Sequence, residues 1–219
     1  MPRELDEIVR EVLLIVGALF PIVSPLSNAP IFLTLTRDVS SSSRALLARK
    51  IATSSFVLLL ASIFIGTYIL AFFGISLPVV HVGGGMVVLA TGWTLLHSPD
   101  AATARTQIST EEASQRAFYP LTLPLTVGPG AISVAITVGA NRTQGHVTSP
   151  TALTAAVIGT AVIALSVYLS YRFAERIALV LGKTAMNVIL RLSSFILVCI
   201  GVQIVWNGAR ALLRTGLGR

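Results

Sequence analysis

Pro21, Pro25 and Pro30 recur 99 residues later as Pro120, Pro124 and Pro129. Both triplets read P-x3-P-x4-P, and each lies inside an apolar run where a spanning helix ordinarily holds none or one. Aligned without a gap, residues 20–36 and 119–135 share four identities and seven conservative pairs in seventeen positions. Each triplet strips backbone hydrogen bonds from a helix at membrane depth. Lipid tolerates no exposed amide or carbonyl, so the two broken segments must shelter each other or line a wet cavity.

That lipid is the solvent follows from composition. Only 11% of the 219 residues are charged, against about 25% in soluble domains, and the mean hydropathy is +0.83. Soluble, disordered and fibrous classes are excluded. Six runs are long enough to cross about 30 Å of hydrocarbon: 12–35, 51–73, 79–96, 117–140, 153–169 and 188–213. The expected fold is all-α: one membrane domain over residues 1–219, with six transmembrane helices of which the first and fourth are broken. Residues 12–96 form one three-span repeat, 97–116 a cytoplasmic connector and 117–213 the second repeat. Three is odd, so the second repeat inserts upside down. Inverted repeats with interrupted helices in matching positions are the pattern of secondary transporters.

Sidedness follows from the cations. Loops after the first, third and fifth runs hold ten of the sixteen Lys and Arg, among them Arg37, Arg44, Arg49 and Lys50. This makes that side cytoplasmic and both termini extracytoplasmic, at the cell (inner) membrane. The net charge of +7 is placed between apolar runs, as lipid headgroups require, and no nucleic-acid motif accompanies it. The first run follows acidic residues (Glu4, Asp6, Glu7, Glu11) and outlasts a signal core, so it reads as a span. Cys199 stands alone, which excludes an intramolecular disulfide and a cysteine metal cluster.

Pro21/Pro25 and Pro120/Pro124 are expected to stop a helix. Asn28-Ala29-Pro30 and Gly128-Pro129-Gly130 are expected to start second half-helices, with Asn28 and Gly128 as caps. Amides at those helix starts suit a carboxylate. Unwound carbonyls and the hydroxyls of Ser24, Ser27, Thr122 and Thr126 suit an ammonium group or a cation. The candidate substrate-binding residues are therefore Ser24, Pro25, Ser27, Asn28, Pro30, Thr122, Pro124, Thr126, Gly128, Pro129 and Gly130. A plainer reading has the prolines merely kinking two packed helices.

All nine acidic residues lie at run margins or in loops, although proton-coupled carriers commonly use a buried carboxylate. Coupling would then need His81, backbone groups or Na⁺ on neutral oxygens; no metal site or other cofactor is expected. His81 and Arg191 open the third and sixth runs and are candidates to line the cavity, or else snorkel to the interface. Ala152, Ala156, Thr160 and Ala164, like Gly84 and Gly92, read as small packing faces. Neither G-x-S-x-G nor H-E-x-x-H occurs, so an enzyme is not expected.

LFPIVSPLSNAPIFLTLT and FYPLTLPLTVGPGAISVAIT resemble the paired signatures of the MarC family of integral membrane proteins, also called small neutral amino acid transporters. The resemblance extends over essentially the whole chain. Pro120, Pro124, Gly128, Pro129 and Gly130 fall where that family has them, as do Pro25, Asn28, Pro30 and Phe32. Ser24 stands where the family usually has Asn, Ser27 where it usually has Gly, and His81 where Arg is common. The resemblance implies six spans and, for some members, transport of glycine or alanine. The competing expectation is a non-transporting membrane scaffold. The bilayer and a small neutral amino acid are the expected partners, and a homo-oligomer is left open.

Overall fold

The computed structural model describes residues 2–36, 39–97, 117–143 and 150–217. Among these the chain forms helices only: α1 (Pro2–Val23), α2 (Pro25–Leu35), α3 (Ser41–Phe72), α4 (Leu77–His97), α5 (Phe118–Thr126), α6 (Pro129–Thr143), α7 (Pro150–Arg172) and α8 (Ala174–Leu217). Five apolar stretches are long enough to cross a bilayer: Glu4–Leu33, Ser41–Phe72, Leu77–His97, Pro150–Arg172 and Asn187–Arg214. The expected run over 117–140 is two shorter pieces, α5 and α6, with Pro129–Ala140 as the apolar part of α6. Beyond His97, the expected connector lies outside the described residues. The architecture is that of an all-helical, multi-pass membrane protein.

Buried stripes at four-residue spacing explain how the helices pack. Ile15, Leu19 and Val23 form the buried face of α1, while Leu47, Ile51, Ser55, Leu59 and Ile63 form that of α3. On α7 the stripe is Ala155, Gly159, Ile163, Val167 and Tyr171. Gly159 lets α1 close on α7, since a Cβ there would lie 2.9 Å from Ile15 Cγ2. Of the expected small face on α7, Ala156, Thr160 and Ala164 are buried and Ala152 is half-buried. Outward-facing Leu, Val, Ile and Phe, with Trp93 and Trp206 near span ends, cover the perimeter. An apolar surface that extensive suits lipid.

The longest seam joins α4 to α8. Gly85 faces Val205, Gly92 faces Val198, Gly201 faces Leu89 and Gly208 faces Val82. These pairs climb α4 as they descend α8, so the helices are antiparallel and held at backbone contact by glycine, as in other small-residue membrane seams. The sixth expected run begins inside a longer element: α8 starts at Ala174 and breaks at Gly182, whose φ of 69° is left-handed.

Arg44, expected among the loop cations, is instead buried in the first turn of α3. Its Nη2 donates to Thr36 O and Val39 O, both at 2.9 Å. Its Nη1 pairs with the Glu175 carboxylate. One guanidinium thereby ties the α2–α3 corner to the start of α8, using the fork of donors that a lysine lacks.

Candidate functional site

The first break is a single residue. Ser24 adopts left-handed φ 43° and ψ 61°, and the helix resumes at once at Pro25. The expected restart at Pro30 is not what forms: Pro30 lies inside α2, and Pro21 lies inside α1. Ser27 N and Asn28 N both donate to Ser24 O at 3.1 Å, so the first turn of α2 is capped by backbone. Asn28 is consequently free of the capping role.

The second break is spread along the chain. Tyr119 (φ −124°, ψ 124°) and Leu123 (φ −114°, ψ 119°) are extended. Each precedes a proline, whose ring bars the helical region to its predecessor. Around these two residues α5 winds as π-helical turns, ending with Val127 N donating to Thr122 O at 2.8 Å. Thr122 Oγ1 donates to Ala117 O at 2.8 Å and Thr126 Oγ1 to Leu121 O at 2.7 Å. The two hydroxyls follow the same five-residue step, each donating to the carbonyl five residues back. The helix resumes at Pro129, as expected, with Ile132 N donating to Gly128 O.

Asn28 joins the two breaks. Its Nδ2 donates to Val23 O at 2.9 Å, at the end of α1, and to Leu125 O at 3.1 Å, across the interface in α5. Two carbonyls can be met only by the amide nitrogen, so Oδ1 is the group Asn28 has left to offer a ligand. A second bridge was not legible in the sequence. Tyr171, fully buried at the end of α7, stacks on Phe32 of α2 with ring centroids 4.4 Å apart. Its hydroxyl shares a 2.8 Å hydrogen bond with Thr126 of α5. A tyrosine at a span end ordinarily reads as an interfacial anchor.

Between the breaks lies a cavity of about 270 Å³. Ser24, Ser27 and Asn28 line it from the first break, and Leu125, Thr126, Gly128, Pro129, Gly130 and Ala131 from the second. Val87, Val88, Thr91 and Leu95 of α4 and Ser193 and Ser194 of α8 complete the wall. Thr122 is buried away from it, with its hydroxyl committed to Ala117 O. Pro25 and Pro30 lie on α2 outside the lining, and Pro124 marks the backbone turn of α5. Arg191 is exposed on α8. His81 is half-buried and bonds Thr137 of α6 through Nε2 at 2.6 Å, away from the lining.

Gly130 has a packing reason as well as a place in the lining. A Cβ there would overlap Val88 Cγ2, so only glycine lets α6 lie this close to α4.

A family model described as MarC family integral membrane protein matches residues 9–213. The membrane protein YvbG of Bacillus subtilis (strain 168) is 30% identical over 200 residues, covering 89% of this chain and 92% of its own length. The inner membrane protein MarC of Escherichia coli O1:K1 is 29% identical over 205 residues, covering 90% of this chain and 93% of its own length. That of Salmonella typhimurium (strain LT2) is 28% identical over 205 residues, with the same two coverages of 90% and 93%. No solved structure matches the chain. Paired proline breaks, the helical membrane architecture and a family match over nearly its full length agree: the chain belongs to the MarC family of integral membrane proteins.

Proposed function

We propose that this chain carries small neutral amino acids of the glycine or alanine type across the cell membrane, using the cavity between its two breaks as the site. The observation that carries this reading is the meeting of the two proline segments, 97 residues apart at the Asn28–Leu125 bond, around one cavity. The described lining is uncharged, which favours a solute without net charge. A zwitterion meets complementary partners there. Gly130 and Ala131 sit in the first turn of α6, where amides have no partner within the helix and attract a carboxylate. Asn28 Oδ1 and the Ser24–Ser27 hydroxyl pair, 2.9 Å apart, accept from an ammonium.

Two inverted repeats, 12–96 and 117–213, underlie the proposal. Exchanging α1–α4 for α5–α8 maps the main packing onto itself: α3–α7 and α4–α8 pair with themselves, α2–α7 with α6–α3, α1–α7 with α5–α3, and α2–α8 with α6–α4. A pseudo-two-fold axis accounts for that exchange. In the membrane the termini would lie outside the cytoplasm, as the cation count suggests. The test is uptake of labelled glycine and alanine into proteoliposomes, with Na⁺ and H⁺ gradients imposed separately. Accumulation over empty liposomes is expected. Its absence for every small neutral amino acid would sink this function in favour of a scaffold.

A further inference from the structure

The cavity is not centred between the two halves of the molecule. Along α4, its lining runs from Val87 to Leu95, toward the end of the helix at His97. From Val88 back toward Leu77, α4 is instead sealed against α6. Ser133 Oγ donates to Val80 O at 3.1 Å, and a Cβ at Gly84 would stand 2.5 Å from Ser133 Cβ. The seam continues onto α3. A Cβ at Gly66 would overlap Ile136, and one at Gly139 would overlap the backbone of Ile63.

The seam is fastened by one side-chain pair. Thr137 Oγ1 gives its proton to Ser133 O at 2.8 Å, so it accepts at its remaining lone pair. His81 Nε2 therefore carries a hydrogen and donates it to Thr137 Oγ1 across 2.6 Å. The repeat exchange maps α6–α4 onto α2–α8, and the cavity wall includes Ser27 and Asn28 of α2 and Ser193 and Ser194 of α8.

We infer that the structure holds the site open toward the face at which α4 ends, and that the seam of α6 on α4 and α3, fastened by His81–Thr137, is the closed gate to the opposite face. The inference rests on the transporter reading above for its purpose, but its geometry is testable without transport. Opening would slide α6 off α4 and α3, while α2 closes on α8. A ligand shifts such an equilibrium only through unequal contacts with the two states, and here Asn28 and the first turn of α6 belong to opposite sides of the moving boundary.

The test uses a full-length Cys199→Ser background, oriented membrane vesicles and a membrane-impermeant maleimide. Ser41→Cys at the start of α3 and Ile75→Cys before α4 mark the two faces, both being exposed. Ser193→Cys reports the cavity and Ser133→Cys, buried in the seam, reports the gate. Ser193→Cys is expected to label from the Ser41 face only, with Ser133→Cys protected from both. Adding Thr137→Val should raise labelling of Ser133→Cys from the Ile75 face roughly fivefold, the population shift given by one lost hydrogen bond. Thr137→Ser keeps the acceptor and should restore protection. Labelling of Ser193→Cys from the Ile75 face would overturn the inference. So would unchanged protection of Ser133→Cys in a folded Thr137→Val protein, or equal labelling with Thr137→Ser. The expected pattern without amino-acid uptake would support the gate and overturn the amino-acid transport proposed above.

Discussion

The two proline segments have the same spacing and break in different ways. At residues 20–30 one left-handed residue, Ser24, turns the chain, and the helix resumes at Pro25 with Pro30 absorbed into it. At residues 119–129 two extended residues and π-helical turns unwind the chain gradually, and the helix resumes only at Pro129. Proline dictates that a helix is interrupted, but the residues between prolines dictate how. Ser24 is short enough to tolerate positive φ, at a cost of order 1–3 kcal/mol. Its counterpart Leu123 takes the extended alternative. Asn28, whose counterpart is Val127, supplies the amide that closes the compact break. The molecule thus pairs a rigid, hydrogen-bonded turn with a looser ribbon patched by threonine hydroxyls.

The largest predicted effect comes from forcing the second segment to resemble the first. Gly130 corresponds to Ile31, and Gly130→Ile should block close approach of α6 to α4 and abolish folding or uptake. The milder Gly130→Ala should cost about 1–3 kcal/mol through overpacking on Val88. Adding Val88→Ala should recover most of that loss in thermal unfolding of the detergent-solubilised protein. No recovery would mean that Gly130 serves the ligand and not the packing.

Next is the bridge. Asn28→Ala leaves Val23 O and Leu125 O without a donor and should cost about 1–3 kcal/mol. Asn28→Asp puts a carboxylate against two carbonyls inside the membrane, adding about 2.5–3.5 kcal/mol for a charge at that depth. Unfolding midpoints should therefore fall in the order wild type, Ala, Asp. Equal midpoints for wild type and Ala would remove Asn28 as the link between the breaks.

Smaller again is Tyr171→Phe, which keeps the stack on Phe32 and loses the bond to Thr126. About 0.5–1.5 kcal/mol is expected, with Thr126→Val larger because it also takes the donor from Leu121 O, and the double variant no worse than Thr126→Val alone. Full additivity would show the two groups acting separately. The smallest effect should be Ser24→Asn. Asn is enriched at left-handed positions, so stability should change by only a few tenths of a kcal/mol, whereas the β-branched Ser24→Val should be clearly destabilising. A neutral Ser24→Val would deny the left-handed turn.

Both breaks were legible to within a few residues because proline acts locally, on its own turn and its predecessor. The restart of α2 at Pro25 was not, since it depends on Ser24 entering a conformation that its neighbours, not its type, make worthwhile. Tyr171 and Arg44 were invisible as structural hubs for a different reason. Their partners are far along the chain, Phe32 and Thr126 for one and Glu175 for the other. In sequence each carries only the generic signal of a residue near a span end.

The glycine seam between α4 and α8 also has a consequence in time. Of the five long apolar stretches, Leu77–His97 is the least hydrophobic, with a mean hydropathy of 1.6, and it contains the run Gly83-Gly84-Gly85. The helix that covers its backbone at Gly85 and Gly92, α8, is the last of the described helices to be made. At about 5–20 residues per second, translation of the intervening chain takes on the order of 5–20 s. For that interval α4 waits in the bilayer with its glycine face against lipid or the insertion machinery. Closure of this seam therefore waits on α8, and a chain stalled before Asn187 leaves Gly85 and Gly92 of α4 without the helix that covers them.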